Sequence, residues 1–449
     1  MTMHFARRAA LGLLTVATIA LTASNAFAQK IERIVTPAGI EAWLVEDHTV
    51  PLVALQFAFS GGASQDPKDK PGVAHMTASM LDEGAGDLDS SSFQERLERD
   101  AIEMTFNADR DHFRGGLRTL SEHREKAFGL LRLALNDPRF DESALDRTRA
   151  QVLAQIRRES TDPGSIAGKS WWSTAFPNHP YGQPTGGSSE SVPQIKREDL
   201  QTYHRRVLTR ERLKIAIVGD IDPAAAKTVI DDIFGKLPAK SELTPVPVVK
   251  PVALGQKNAV PFDTPQSVVS FGGVGLPRKD PDYMTAYIVN HILGGGSFTS
   301  RLYQEVREKR GLAYGVSTYL YPMEFSALYM GYTQVRAEKT DESIAVMQHE
   351  IRRMAETGPT EDELAKAKDY LKGSYALGFD TSTKIAAQLL GLQLQGLGID
   401  YITTREKLID AVTIADAKRV AKSLLEGGLH FTVVGRPAAA TGSRSNNPG

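Results

Sequence analysis

The sequence predicts an α+β chain built as two homologous α/β-roll halves, each a mixed or antiparallel sheet with helices packed on one side, joined by a proline-rich linker. Three observations carry this reading. Residues 213–219 (Leu-Lys-Ile-Ala-Ile-Val-Gly) and 429–435 (Leu-His-Phe-Thr-Val-Val-Gly) share length and pattern, 216 positions apart. The apolar strands at 54–59 and 268–273 lie at nearly the same offset. Between them, residues 238–265 hold six prolines (Pro238, Pro245, Pro247, Pro251, Pro261 and Pro265), which excludes a regular helix and reads as a linker with extended pieces. Several elements recurring in one order at one offset predict a duplication into halves of about 210 residues.

In the first half, residues 40–45 and 51–59 read as strands, the second alternating and ending at Ser60-Gly61-Gly62. A helix is predicted over 72–82, a strand pair near 102–106 and 113–120, and helices over 122–135 and 141–159. A segment with two tryptophans leads to His179-Pro180-Tyr181-Gly182, and a helix near 197–207 precedes the strand that Gly219-Asp220 ends. The second half repeats the order: a strand at 268–272, a helix at 283–293, strands at 312–322 and 327–335, long helices, and the last strand at 429–434.

With 449 residues, 41% hydrophobic and 24% charged, the chain has globular composition. Its 53 basic residues balance 54 acidic ones, which argues against a nucleic-acid partner read through a phosphate-neutralising surface. The absence of cysteine excludes disulfides, thiolate nucleophiles, cysteine-ligated zinc and iron–sulfur clusters. Arg7-Arg8, the apolar run 9–21 and Ala26-Phe27-Ala28 predict a cleaved export signal over 1–28, hence a periplasmic chain that is free of the membrane after cleavage. The expected units are then 29–237, the linker 238–265, 266–436, and a small, polar, disordered tail at 437–449.

Three stretches together resemble the M16 peptidases, the inverted-zincin family that includes mitochondrial processing peptidase and insulin-degrading enzyme. Gly72-Val73-Ala74-His75-Met76 resembles the start of the metal motif. Phe176-Pro177-Asn178-His179-Pro180-Tyr181-Gly182, with Gly186, is similar to the mid-domain loop. Residues 300–314 (Ser-Arg-Leu-Tyr-Gln-Glu-Val-Arg-Glu-Lys-Arg-Gly-Leu-Ala-Tyr) resemble the second-half signature. The family motif H-x-x-E-H sets two imidazoles on one helix face, with the Glu as general base for zinc-bound water and a third ligand, also Glu, about seventy-five residues later.

At those positions this chain has His75, Ala78, Ser79 and Gln155. Ala78 transfers no proton, Ser79 is a poor neutral ligand, and one histidine does not hold a catalytic metal. Asp82, Glu83 and Glu159 read as solvated helix faces rather than a replacement set, and no other histidine pair has metal spacing. There is no G-x-S-x-G either. The chain alone is therefore expected to bind no metal or cofactor and to cleave nothing.

The second-half signature is intact. Arg307 and Tyr314 match the family's paired arginine and tyrosine, which the resemblance assigns to binding the substrate backbone and donating to the developing oxyanion of a site held by the other half of the molecule. Read without the family, Arg301, Arg307, Lys309 and Arg310 are a basic helix side and Tyr314 a half-buried aromatic. Residues 107–111 and the strand 113–120 resemble the edge that binds peptide as an added strand, although Gly115-Gly116 weaken a strand interior. The resemblance thus implies the non-catalytic subunit of a heterodimeric zinc peptidase. A homologous partner would supply H-x-x-E-H and the zinc, and the substrate would be a peptide or unfolded protein. The alternative is a structural or peptide-binding relative without turnover.

Overall fold

A computed structural model describes residues 30–436; the predicted export signal (1–28) and tail (437–449) lie outside them. The first half contains β1 (Ile31–Val35), β2 (Glu41–Glu46), β3 (Leu52–Ser60), α1 (Val73–Ala78), α2 (Ser90–Arg99), β4 (Glu103–Ala108), β5 (His112–Leu120), α3 (Arg124–Asn136), α4 (Glu142–Glu159), α5 (Pro163–Ala175), α6 (Arg197–Val207), β6 (Leu213–Gly219) and α7 (Pro223–Phe234). The second contains β7 (Lys257–Pro261), β8 (Gln266–Val274), α8 (Tyr283–Asn290), β9 (Ala313–Pro322), β10 (Ala327–Arg336), α9 (Thr340–Thr357), α10 (Glu361–Gly373), α11 (Ser382–Leu394), α12 (Tyr401–Asp410), α13 (Ile414–Leu425) and β11 (His430–Gly435).

The two sheets repeat one topology. The first runs β1-β2-β6-β3-β5-β4 and the second, read from its far edge, β7-β11-β8-β10-β9. In each, one parallel pair (β2 with β6, β7 with β11) is followed by three antiparallel pairs. Even the centres match. Phe57 lies opposite Gly115 and Phe271 opposite Gly331, and a Cβ on either glycine would overlap the facing ring. Gly115 therefore belongs to the strand's packing, and β5 is paired with β3 over nine registered residues, so the expected weakening of this strand is corrected.

The proline-rich stretch is shorter as a linker than 238–265. Its end forms β7, an edge strand in which Pro261 occupies the last position, where a missing N–H is tolerated. The helix read over 72–82 ends at Ala78, where Ser79 caps the final turn. β1, α2, α5 and α7 add elements that periodicity did not reveal.

Each sheet carries its own half's helices on one face. The other face is covered by one helix of the opposite half. α5 lies on β8 and β11, with Ala167 against Val268 and Val434 and the Trp171 indole N–H donating to the His430 carbonyl at 3.3 Å. α11 lies on β3 and β6, with Leu389 and Leu390 against Trp43, Ala54, Ala58, Ala216 and Val218, and Gln393 donating to the Ile215 carbonyl at 2.8 Å. The halves thereby share apolar burial, the dominant favourable term in folding. Among the described residues no helix is long and apolar enough to cross a membrane.

Candidate functional site: a degenerate metal helix and an intact Arg/Tyr signature

The first candidate region begins at Gly72, which has φ 105° and would strike the Gly187 backbone if it carried a Cβ. Only glycine fits there, and this fixes the start of α1 against the 186–187 turn. Asp66 reaches back to accept from the backbone N–H groups of Gly72 and Ala74, both at 2.7 Å. Burial nevertheless pushes its carboxyl up to about 7, against the pull of those two donors.

α1 sends His75 into a cavity of about 1030 Å³ walled also by Arg110, Gln155, Glu159, Lys169, Trp172 and the 182–187 turn. The structure thus places His75 and Gln155 on the wall of one cavity, as the family resemblance implies. Burial lowers the His75 pKa, and nearby Glu159 opposes the shift. Ala78 is 2% exposed and packs in the apolar core. The Ser79 hydroxyl donates to the His75 carbonyl at 3.0 Å, a capping bond within the helix. The Gln155 amide donates to Glu159 at 2.9 Å and its oxygen accepts from Arg158. Burial would raise the Glu159 pKa, but the Lys169 ammonium, 2.8 Å away, and the Gln155 amide hold it below its ordinary value. Glu159 is therefore an ion-paired wall residue, not a purely solvated one.

These residues do not fit zinc. One imidazole, a hydroxyl used as a cap and a carboxamide already bonded to a carboxylate supply neither three anionic or imidazole ligands nor a base. Among the described residues no group of three or more His, Asp or Glu side chains is placed to hold a metal ion.

The second region is built on the edge strand β9 and the segment preceding it. A π-helical turn over His291–Gly295 precedes the signature and another over Gln304–Glu308 lies within it. Gly294 lies so close to Thr318 that a side chain would overlap its hydroxyl, and Thr318 in turn donates to Asn290 at 2.8 Å. The basic residues separate by role. Arg301 is buried in a fork to Glu363, with both contacts at 2.6 Å, and Lys309 and Arg310 both pair with Glu305. Arg307 pairs with Glu308 at 3.2 Å and also faces aromatics: its guanidinium lies 5.2 Å from the Tyr303 ring and 5.6 Å from the Tyr314 ring, and donates to the Tyr303 hydroxyl.

A register shift between Ala313 and Val316 places Tyr314 on the same sheet face as Tyr319 and Tyr321, and 87% of its surface is exposed. Neither Arg307 nor Tyr314 lines the cavity that holds His75. The sequence reading missed Tyr303, whose ring and hydroxyl hold Arg307; its spacing four residues before Arg307 on one helical face was the available signal.

The mid-domain loop joins the halves. The Tyr181 hydroxyl donates to Asp111 and accepts from the Phe325 N–H at 3.0 Å, while Asp111 accepts from the Glu324 N–H at 3.1 Å. The His179 Nε2–H donates to the Pro247 carbonyl at 2.9 Å and its Nδ1 accepts from the Tyr181 N–H. Burial lowers the His179 pKa and so favours this neutral form.

Residues 42–189 match the insulinase (peptidase family M16) domain and residues 194–371 the peptidase M16 inactive domain. A protein of Helicobacter pylori named "Non-peptidase homolog YmxG" is 26% identical over 92% of this chain and 95% of its own length. A Bacillus subtilis protein named "Uncharacterized zinc protease YmxG" is 25% identical over 78% of this chain and 85% of its own. The crystal structure of a peptidase M16 inactive domain from Pseudomonas fluorescens superposes with a TM-score of 0.86 at 28% identity, covering 92% of this chain and 99% of that one.

Proposed function

This chain belongs to peptidase family M16, and we propose that within it the chain is the non-catalytic subunit of a periplasmic two-chain zinc peptidase acting on peptides or unfolded proteins. The observation that carries the reading is the contrast between the two regions. The His75 region lacks the base and two of the three ligands, at Ala78, Ser79 and Gln155, while Arg307 lies near the Tyr303 and Tyr314 rings and Tyr314 is exposed. A donor pair that is preorganised yet remote from its own chain's degenerate cavity serves a reacting carbonyl in another molecule.

In this mechanism the partner, a homologue carrying H-x-x-E-H, contributes the metal chemistry. Arg307 binds a carbonyl of the substrate backbone, and two flanking rings restrict its guanidinium, which lowers the entropy lost on binding. The Tyr314 hydroxyl donates to the scissile carbonyl oxygen as it gains charge. Closure of the two chains around substrate excludes water, and the donor is worth far more there than in solvent. Tyr314→Phe in the two-chain complex is expected to lower kcat about a hundredfold without dissociating the chains. An unchanged kcat removes the role of Tyr314.

A further inference from the structure

The cavity that holds His75 lost its metal chemistry but kept a volume of about 1030 Å³, at the upper end of ligand-binding pockets. Two groups on its wall have unused hydrogen-bonding capacity. The His75 imidazole has no hydrogen-bond partner among the described residues. Arg110 lies flat on the Trp172 ring, 3.6 Å from its centroid, and donates through Nε to the Tyr181 carbonyl at 3.1 Å. No carboxylate of the described residues pairs with it. Asp109 is engaged by Arg114 at 2.8 Å, and Asp111 by Tyr181 and Glu324. The other cation on the wall, Lys169, is neutralised by Glu159.

The Arg110 guanidinium therefore has no carboxylate within ion-pair distance in a partly desolvated setting, where Asp109 and Asp111 only offset its burial from farther away, and a closer anion would stabilise it further. A guanidinium fixed by stacking presents a planar fork that matches a carboxylate. Around it, the Gln155 amide and the Ser173 and Thr185 side chains give polar groups suited to peptide N–H and C=O. We propose that this cavity binds a peptide by a carboxylate, with Arg110 on its Trp172 platform as the anchor and His75 bonding the adjoining peptide group. The carboxylate is a free C-terminus or an acidic side chain. The inference concerns this chain alone and stands apart from the divided-enzyme reading.

The test is calorimetric titration of the full chain with three probes: Ala-Ala-Phe-Ala as free acid, the same peptide as C-terminal amide, and Ala-Ala-Asp-Ala amide. The free acid is expected to bind at least about tenfold more tightly than its amide. Tight binding of the aspartyl amide as well assigns the site to any carboxylate, and weak binding assigns it to the C-terminus. Arg110→Gln should erase the preference while the unfolding midpoint holds. Should that variant fail to fold, added salt on the unaltered chain supplies the second readout, reducing the free acid towards the affinity of the amide. Equal affinity for all three probes, or binding of none, overturns the proposal.

Discussion

In the first half, the helix that begins at Gly72 retains its entry turn, its Asp66 anchor and its cavity, but Ala78, Ser79 and Gln155 stand where base and ligands would be. In the second half, the segment that ends at Tyr314 retains its glycine turn, its buried Arg301–Glu363 fork and its reactive-looking Arg/Tyr pair. The two regions sit on duplicated sheets with the same strand order. Scaffold and chemistry have thus separated: packing contacts persist in both halves, whereas side chains that act on substrate persist in one. A backbone that needs Gly72 or Gly115 cannot drift, since each change there meets a neighbouring atom. A ligand exchanged for Ala or Gln leaves packing nearly untouched.

If only ligands were lost, replacing them should restore metal binding. Ser79→His with Gln155→Glu gives three ligands with His75 and is expected to bind one zinc per chain in equilibrium dialysis, with nanomolar affinity, or about 12 kcal/mol. The unaltered chain is expected to retain none. Failure of the double variant would mean that the scaffold, too, has diverged.

The sharing of cover between halves sets the next effect. Trp171→Ala removes a fully buried indole of α5 from the second sheet and should cost about 4 kcal/mol in urea unfolding, as one cooperative transition. Two separate transitions would show that the halves fold independently. Gly331→Ala and Gly115→Ala test the duplication itself: each forces a methyl into the facing phenyl ring and should cost about 2–3 kcal/mol, by similar amounts. Strongly unequal losses would mean that the two centres only look alike.

A pH dependence of opposite sign separates the two halves. Burial raises the Asp66 pKa to about 7, so between about 4 and 7 the folded chain holds a proton that the unfolded chain releases. Its contribution makes stability fall as pH rises through that window. In the second half, burial works against Glu363, but Arg301 and Thr360 bring its pKa to about 2, so its contribution is present above the ordinary carboxylate range and is lost as pH falls towards 2. Unfolding midpoints of Asp66→Ala and Glu363→Ala, compared with the unaltered chain across pH 2–8, separate the two; slopes of the same sign would contradict these assignments.

Much of this was legible before the structure. The recurring strand ends at Gly219 and Gly435 revealed the duplication because apolar strands closed by glycine are sharp local signals. His75 and Gln155, 80 residues apart on two helices, line one cavity, a pairing that the family resemblance implied and no local pattern could have given. Other parts were not legible. α5 begins at Asp162-Pro163, an N-cap followed by proline that would have marked it, but its apolar surface wraps too widely for a one-sided helical pattern, since it touches both halves. The stacking of Arg110 on Trp172 joins residues 62 positions apart with no local signature. The β7 strand hid among prolines because edge strands tolerate them.

The central claim is that this chain lends its signature to a partner's active site. Affinity purification of the tagged full chain from its own cells, followed by mass spectrometry, tests it most directly. The account predicts a stoichiometric homologue of similar size carrying H-x-x-E-H, and peptidase activity that needs both chains. A chain that emerges alone, with no such companion, would contradict it.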